Sequence, residues 1–315
     1  MIFYSVSLLT ASLLLIALIS ERVIRYVLVL SKVIGLSEMA AGFILLSVTT
    51  SLPELSVSTI AAVAGEAGLS VGNVLGSNIA NLTIIIGLAV LFSKTEVSVK
   101  GQSQKELVQF LFLSSIIPLF IVQRGSLGPI LGLVLLTLFI YFSVTVSRKT
   151  EKTKTVENAN KNNTASTSLK FIVGSGLIIV LSKFAVDSSV DVAEFIGLPP
   201  SIVGATIIAL GTSLPELATT IQALKKKLFG MALGNLLGSC ITNITLILGV
   251  SSLVSFSPVN VLAVESIMFY VLLSSLSIWY LIGASENISR KASLFLCVLY
   301  ITFILQQAGI SIFIF

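Results

Sequence analysis

The sequence predicts an all-α integral membrane protein of ten transmembrane helices, arranged as two inverted five-helix repeats without a large soluble domain. Three observations lead there: too few charges for a water-soluble surface, ten apolar stretches of membrane-spanning length, and two motifs recurring at one fixed offset. Of the 315 residues 55% are hydrophobic and 10% charged, and the mean hydropathy is +1.06. Soluble domains carry about 25% charged residues, so a soluble enzyme, a nucleic-acid binder and a disordered chain are all excluded. Histidine is absent, which removes imidazole metal ligands, Ser-His-Asp triads and imidazole proton relays. Cys240 and Cys297, the only cysteines, match no metal-ligand spacing and imply no disulfide framework. The apolar runs are continuous rather than alternating, so the spans are helices and not barrel strands.

A hydrocarbon core of about 30 Å needs roughly 20 apolar residues per helix. On that scale the predicted spans are 2–20, 38–64, 69–92, 106–123, 127–147, 169–186, 200–223, 229–255, 260–282 and 292–314. The first lacks the basic leader and small-residue cleavage site of a signal peptide and is read as a span. Residues 148–168 are polar and rich in Lys, Asn and Thr, which reads as a linker. It separates a first repeat, 1–147, from a second, 169–315.

Alternating the ten spans across the bilayer sorts the basic residues. One face collects Arg22, Arg25, Lys32, Lys94, Lys100, Lys105, Arg148, Lys149, Lys152, Lys154, Lys161, Lys170, Lys225 to Lys227, Arg290 and Lys291, which is 17 of the 19. Only Arg124 and Lys183 fall on the other. By the positive-inside rule the linker is cytoplasmic and both termini lie outside a plasma membrane.

The segment Thr50-Ser51-Leu52-Pro53-Glu54-Leu55 recurs as Thr212-Ser213-Leu214-Pro215-Glu216-Leu217, and Gly72-Asn73-Val74-Leu75-Gly76-Ser77 as Gly234-Asn235-Leu236-Leu237-Gly238-Ser239. Asn81 returns as Asn243, and every pair lies 162 residues apart. One offset held over both motifs means duplication. Five spans per copy turn the second copy upside down, the sequence pointer to a secondary transporter with a midplane site.

Glu54 and Glu216 are the acids placed deep within spans, where a carboxylate costs at least about 2.5–3.5 kcal/mol. Each follows a proline, which removes a helical hydrogen bond and clashes with the carbonyl four residues back. Such broken backbone survives at membrane depth only against protein or a cavity. Ser77 with Asn81, and Ser239 with Asn243, are i, i+4 pairs that put neutral oxygens on one helix face. Carboxylates, hydroxyls, amides and carbonyls without imidazole or a placed thiol select hard cations such as Ca²⁺, Na⁺ or Mg²⁺ over zinc or copper.

These paired motifs resemble the repeats of the sodium/calcium exchanger family, part of the cation/Ca²⁺ antiporter superfamily. The resemblance implies antiport of Na⁺ against Ca²⁺ by alternating access, with no cofactor, no enzymatic activity and no protein partner. It implies that Glu54 and Glu216 bind Ca²⁺ with the carbonyls of Thr50 and Thr212. Ser51, Ser77, Ser213 and Ser239 would serve flanking Na⁺ sites with backbone oxygens near Ser47 and Ala209, and Asn81 and Asn243 would line the centre. Two departures stand out: Thr49 where the family has glycine, as the second copy does at Gly211, and Asn243 where several relatives have aspartate. A Ca²⁺/H⁺ antiporter is the alternative; proton-coupled members usually lack the Thr-Ser before the glutamate. A channel fits inverted repeats around an occluded site less well, and intramembrane proteolysis lacks its Asp pair or His.

Asp187, Asp191 and Glu194, spaced i, i+4 and i+7 near the outer end of the sixth span, read as a solvated helix end or an acidic vestibule. The first and sixth spans carry few polar anchors, and the sequence expects them to slide over a fixed core.

Overall fold

The computed structural model describes residues 2–31, 46–93, 97–98, 102–148, 161–284 and 287–309, nearly all helical. In the first half α1 (Ile2–Ser31) is followed by α2 (Ser47–Thr50) and α3 (Leu52–Val63), the two arms of an interrupted helix. Next comes α4 (Ala67–Ala80), which runs through a π turn at Asn81–Ile85 into α5 (Ile86–Ser93). A two-residue strand β1 (Val97–Ser98) precedes α6 (Gln102–Ser114), α7 (Leu119–Arg124) and α8 (Pro129–Arg148).

The second half opens with the long α9 (Lys161–Ile196), then α10 (Pro200–Val203), a π turn at Gly204–Ile208, α11 (Ala209–Thr212) and α12 (Leu214–Lys225). Helix α13 (Phe229–Thr242) leads through a π turn at Asn243–Ile247 into α14 (Leu248–Val254). Last come α15 (Val261–Ala284), β2 (Asn287–Ile288) and α16 (Arg290–Gln307). The ends of α2, α3, α4 and the π turn after it reappear 162 residues later as those of α11, α12, α13 and the corresponding π turn. The duplication read in the motifs is thus repeated in the backbone.

Seven helices among the described residues are long and apolar enough to cross a membrane, and the bent pair 200–212 and 214–225 makes an eighth. The sequence predicts ten; the remaining two, 38–64 and 292–314, run partly into residues outside those described, as do Lys32, Lys94, Lys100, Lys149, Lys152 and Lys154. Helix α9 begins at Lys161, inside the stretch read as linker, because the Asn-Thr-Ser sequence there continues in phase with an apolar helix. The β1–β2 pairing joins Val97 to Ile288, and an isolated bridge joins Ser126 to Pro258. Both pairings link segments that the span alternation puts on the same side.

Burial separates a centre from a periphery. In the spans 67–92 and 229–254, 83% and 78% of the most apolar window is buried, against 28% for 2–23 and 22% for 166–196. Small residues make the centre tight: a Cβ on Gly72 or Gly76 would overlap the carbonyls of Ser201 and Ala205. Close backbone approach of this kind is how helices associate where lipid is as apolar as leucine.

Two separate apolar clusters follow. One fills the centre between α4, α5, α6, α13, α15 and α16; the other joins α1 and α9 to the core through Leu9, Leu13, Ile16, Ile178, Val57 and Ile208. Helices α1 and α9 run antiparallel, with the Ser5 hydroxyl on Asp191 at 2.7 Å near one end and Gly174 against Val23 near the other.

Gly76→Ala should therefore cost about 3 kcal/mol or more, because backbone rather than a side-chain tip must move. A thermal melt of the purified protein in detergent measures it, and an unchanged midpoint would contradict the packing.

Candidate functional site

Both helix breaks are built the same way. Ser51 leaves helical geometry at φ −82°, ψ 9° and Ser213 at φ −86°, ψ 6°. Pro53 and Pro215 then occupy the second helical position of α3 and α12, where their missing N–H has no helical partner to lose. The chain stays connected through Ser51 N–H to the Ser47 carbonyl at 3.0 Å and Ser213 N–H to the Ala209 carbonyl at 3.1 Å. In the second copy the two arms bend by 42°. Each glutamate lies in the first turn of the second arm, Glu54 on α3 and Glu216 on α12. There the positive end of the helix dipole favours an anion.

The hydroxyls then cross between the repeats. Ser213 Oγ donates to Glu54 Oε1 at 2.8 Å, and Ser51 Oγ donates to Glu216 Oε1 at 3.4 Å. Thr212 Oγ1 donates to Asn73 Oδ1 at 3.3 Å, and Thr50 Oγ1 to Asn235 Oδ1 at 3.2 Å. Each glutamate and each asparagine is thus held by the other copy. Ser239 reaches Glu216 Oε1 at 3.4 Å and the Thr50 hydroxyl at 3.2 Å. Ser77 Oγ stands 3.5 Å from the Ala209 carbonyl, which also accepts from Thr212; the Ser47 carbonyl likewise accepts from Thr50.

Both glutamates are fully buried, and no basic side chain pairs with either among the described residues. Their Oε2 atoms have no protein donor; neither do both amide atoms of Asn81 nor Asn243 Oδ1. No three His, Cys, Asp or Glu converge anywhere among the described residues. The arrangement is therefore two carboxylates among neutral oxygens, with lone pairs left over where a cation can be held.

All twelve residues singled out in the sequence lie in this buried centre. Sequence reasoning missed Asn73, Asn235 and Asn78. Asn73 sits four residues before Ser77 and eight before Asn81, on the same helical face, so the periodicity would have found it. Its Nδ2 donates to Ser58 Oγ at 2.9 Å, and that of Asn235 to Thr219 Oγ1 at 3.2 Å. The acidic triplet is less of a cluster than its spacing suggests: Asp187 pairs with Lys183 at 3.0 Å, and Asp191 accepts from Ser5. Gly211 makes room for Leu13, whose Cδ1 would lie 2.8 Å from an added Cβ. Leu13's counterpart 162 residues on is Ser175. The small residue is on the core helix in one copy and on the long helix in the other, which accommodates the departure at Thr49.

The family model described as sodium/calcium exchanger protein matches residues 4–148 and 167–309. The chain belongs to the sodium/calcium exchanger family. It is 34% identical over 285 residues to an uncharacterized membrane protein of Methanocaldococcus jannaschii, covering 90% of this chain and 88% of the relative. It is 29% identical over 337 residues to the sodium/calcium exchanger MaX1 of Methanosarcina acetivorans, covering 90% and 93%. Among solved structures it is similar to the sodium-calcium exchanger NCX_Mj soaked with 10 mM Na⁺ and 10 mM Sr²⁺, with a TM-score of 0.69 and 25% identity over 100% of both chains. This exchanger is accordingly a membrane antiporter, not an enzyme.

Asn73 and Asn235 link the exchanger's two copies through both ends of the amide. Asn73→Leu should cost about 1–3 kcal/mol, because it strands buried partners. Chemical or thermal unfolding in detergent gives the number; a loss below about 0.5 kcal/mol would show that the crosswise bonds contribute little.

Proposed function

We propose that this exchanger moves Ca²⁺ against Na⁺ across a plasma membrane by alternating access, with both ions bound at the buried centre. One observation carries the reading: two glutamates, one from each copy, buried together without a basic partner and each held by the other copy's serine. Two carboxylates neutralise one divalent ion, and oxygen-only ligands suit Ca²⁺ and Na⁺. Glu54 and Glu216 bind Ca²⁺ with the carbonyls of Thr50 and Thr212; Ser51, Ser77, Ser213 and Ser239 hold Na⁺ with backbone oxygens at Ser47 and Ala209; Asn81 and Asn243 line the centre. The names of MaX1 and NCX_Mj favour sodium over proton coupling. The lipid bilayer is the partner, the termini are outside and the linker is cytoplasmic.

The antiparallel α1–α9 pair supports an inverted arrangement of ten helices. The apolar cluster beneath that pair supports sliding, since no buried hydrogen bond need be exchanged along it.

Glu54→Gln and Glu216→Gln each remove about 4 kcal/mol of attraction for a divalent ion at an effective dielectric near 20, on the order of a thousandfold. Na⁺-gradient-driven ⁴⁵Ca²⁺ uptake into proteoliposomes should vanish for both. Near-normal uptake by either, or uptake that follows a proton gradient and ignores Na⁺, rejects the reading.

Leu13→Cys with Gly211→Cys, in a protein lacking Cys240 and Cys297, places two thiols where α1 meets the core. Oxidation should stop exchange and reduction restore it; full-rate exchange in the oxidised protein rules out sliding.

A further inference from the structure

Two asparagines, Asn81 and Asn243, occupy equivalent positions at the centre, yet their surroundings differ. Asn78 Nδ2 donates to the Cys240 carbonyl at 3.1 Å. A peptide carbonyl can only accept, so Asn78 must turn its NH₂ that way and its Oδ1 the other way. Asn243 meets that oxygen with Nδ2 at 3.0 Å. These two bonds decide which end of the Asn243 amide is which, a choice that the shape of the group alone leaves open. What remains is Asn243 Oδ1, fully buried and without a protein donor.

The other copy lacks this device. The residue 162 positions after Asn78 is Cys240, and neither amide atom of Asn81 has a protein partner.

We propose that Asn78 is a positioning residue: it locks the Asn243 amide so that the carbonyl oxygen, never the NH₂, faces the ions, while Asn81 presents either end. The proposal rests on the reading of this centre as the ion site. Hard cations take oxygen ligands, and an NH₂ group turned toward them repels instead. A ligand fixed beforehand spares the ion the cost of sorting its orientation on binding. The centre thus has one permanent neutral oxygen and one adaptable amide.

The test compares Asn78→Leu in the native sequence and in an Asn243→Asp background, using Na⁺-driven ⁴⁵Ca²⁺ uptake by the full chain in proteoliposomes. An aspartate offers two equivalent oxygens and needs no orienting. Asn78→Leu should weaken apparent Ca²⁺ affinity about fivefold in the native sequence, the effect of one hydrogen bond, and less than about twofold in the Asn243→Asp background. Equal losses in both backgrounds would make Asn78 a packing residue and overturn the proposal.

Cys240→Asn, which stays testable should Asn78→Leu fail to fold, gives Asn81 the same anchor. It should tighten apparent Ca²⁺ affinity by about two- to fivefold; an unchanged affinity overturns the proposal. Glu54→Gln, run alongside, separates the two failures. Full exchange by that variant overturns the site itself, whereas its loss means that a missing Asn78 effect counts against Asn78 alone.

Discussion

Two carboxylates buried at membrane depth without a basic partner are the constraint on which the rest of the molecule depends. The effective penalty for burying one such ion is several kcal/mol. Four hydroxyls, two helix N-termini and the asparagines behind them reduce that penalty without cancelling the charge. The protein is left with a deficit that only a cation removes. Every unusual feature near the centre serves this arrangement: prolines open the helices, serines cross between copies, and glycines bring backbones close enough for short side chains to reach.

Packing divides the labour. Helices α4 and α13 are gripped on all sides and hold the geometry to within a hydrogen-bond length. Helices α1 and α9 touch the core through aliphatic side chains, and the hydrogen bond from Ser5 to Asp191 ties them to each other. A shift of the pair changes which methyl groups meet but strands no polar atom. Rigidity and mobility are therefore assigned by chemistry, polar contacts to the site and apolar ones to the moving surface.

Much of the fold was legible because lipid imposes length and the duplication imposes register. The offset read from Glu54 and Glu216 predicted helix ends that agree to the residue in α3 and α12. Span counting fared less well where a span is not one helix: Ser51 and Ser213 split theirs, and Pro118 separates α6 from α7. The glutamates, threonines and serines of the site stood out as polar residues in apolar runs. Asn73 and Asn235 did not, because an asparagine whose amide is spent on neighbouring side chains looks in sequence like one facing an ion. The π turns left no sequence trace: a turn of five residues is distinguished from α-helix by hydrogen-bond partners, not by side-chain type.

Those π turns also carry a date. A π turn is one extra residue lodged in an α-helix, and Asn81–Ile85 and Asn243–Ile247 hold it at the same register. The insertion was therefore already present in a half-length ancestor, before the gene doubled. Such an ancestor had to work as a pair of identical chains, both carrying the same asparagine, the same glutamate and the same kink. The places where the halves now disagree, Asn78 opposite Cys240 and Thr49 opposite Gly211, were opened to change only once the two copies shared a single gene. Symmetry built the site, and its loss let each half acquire its own task.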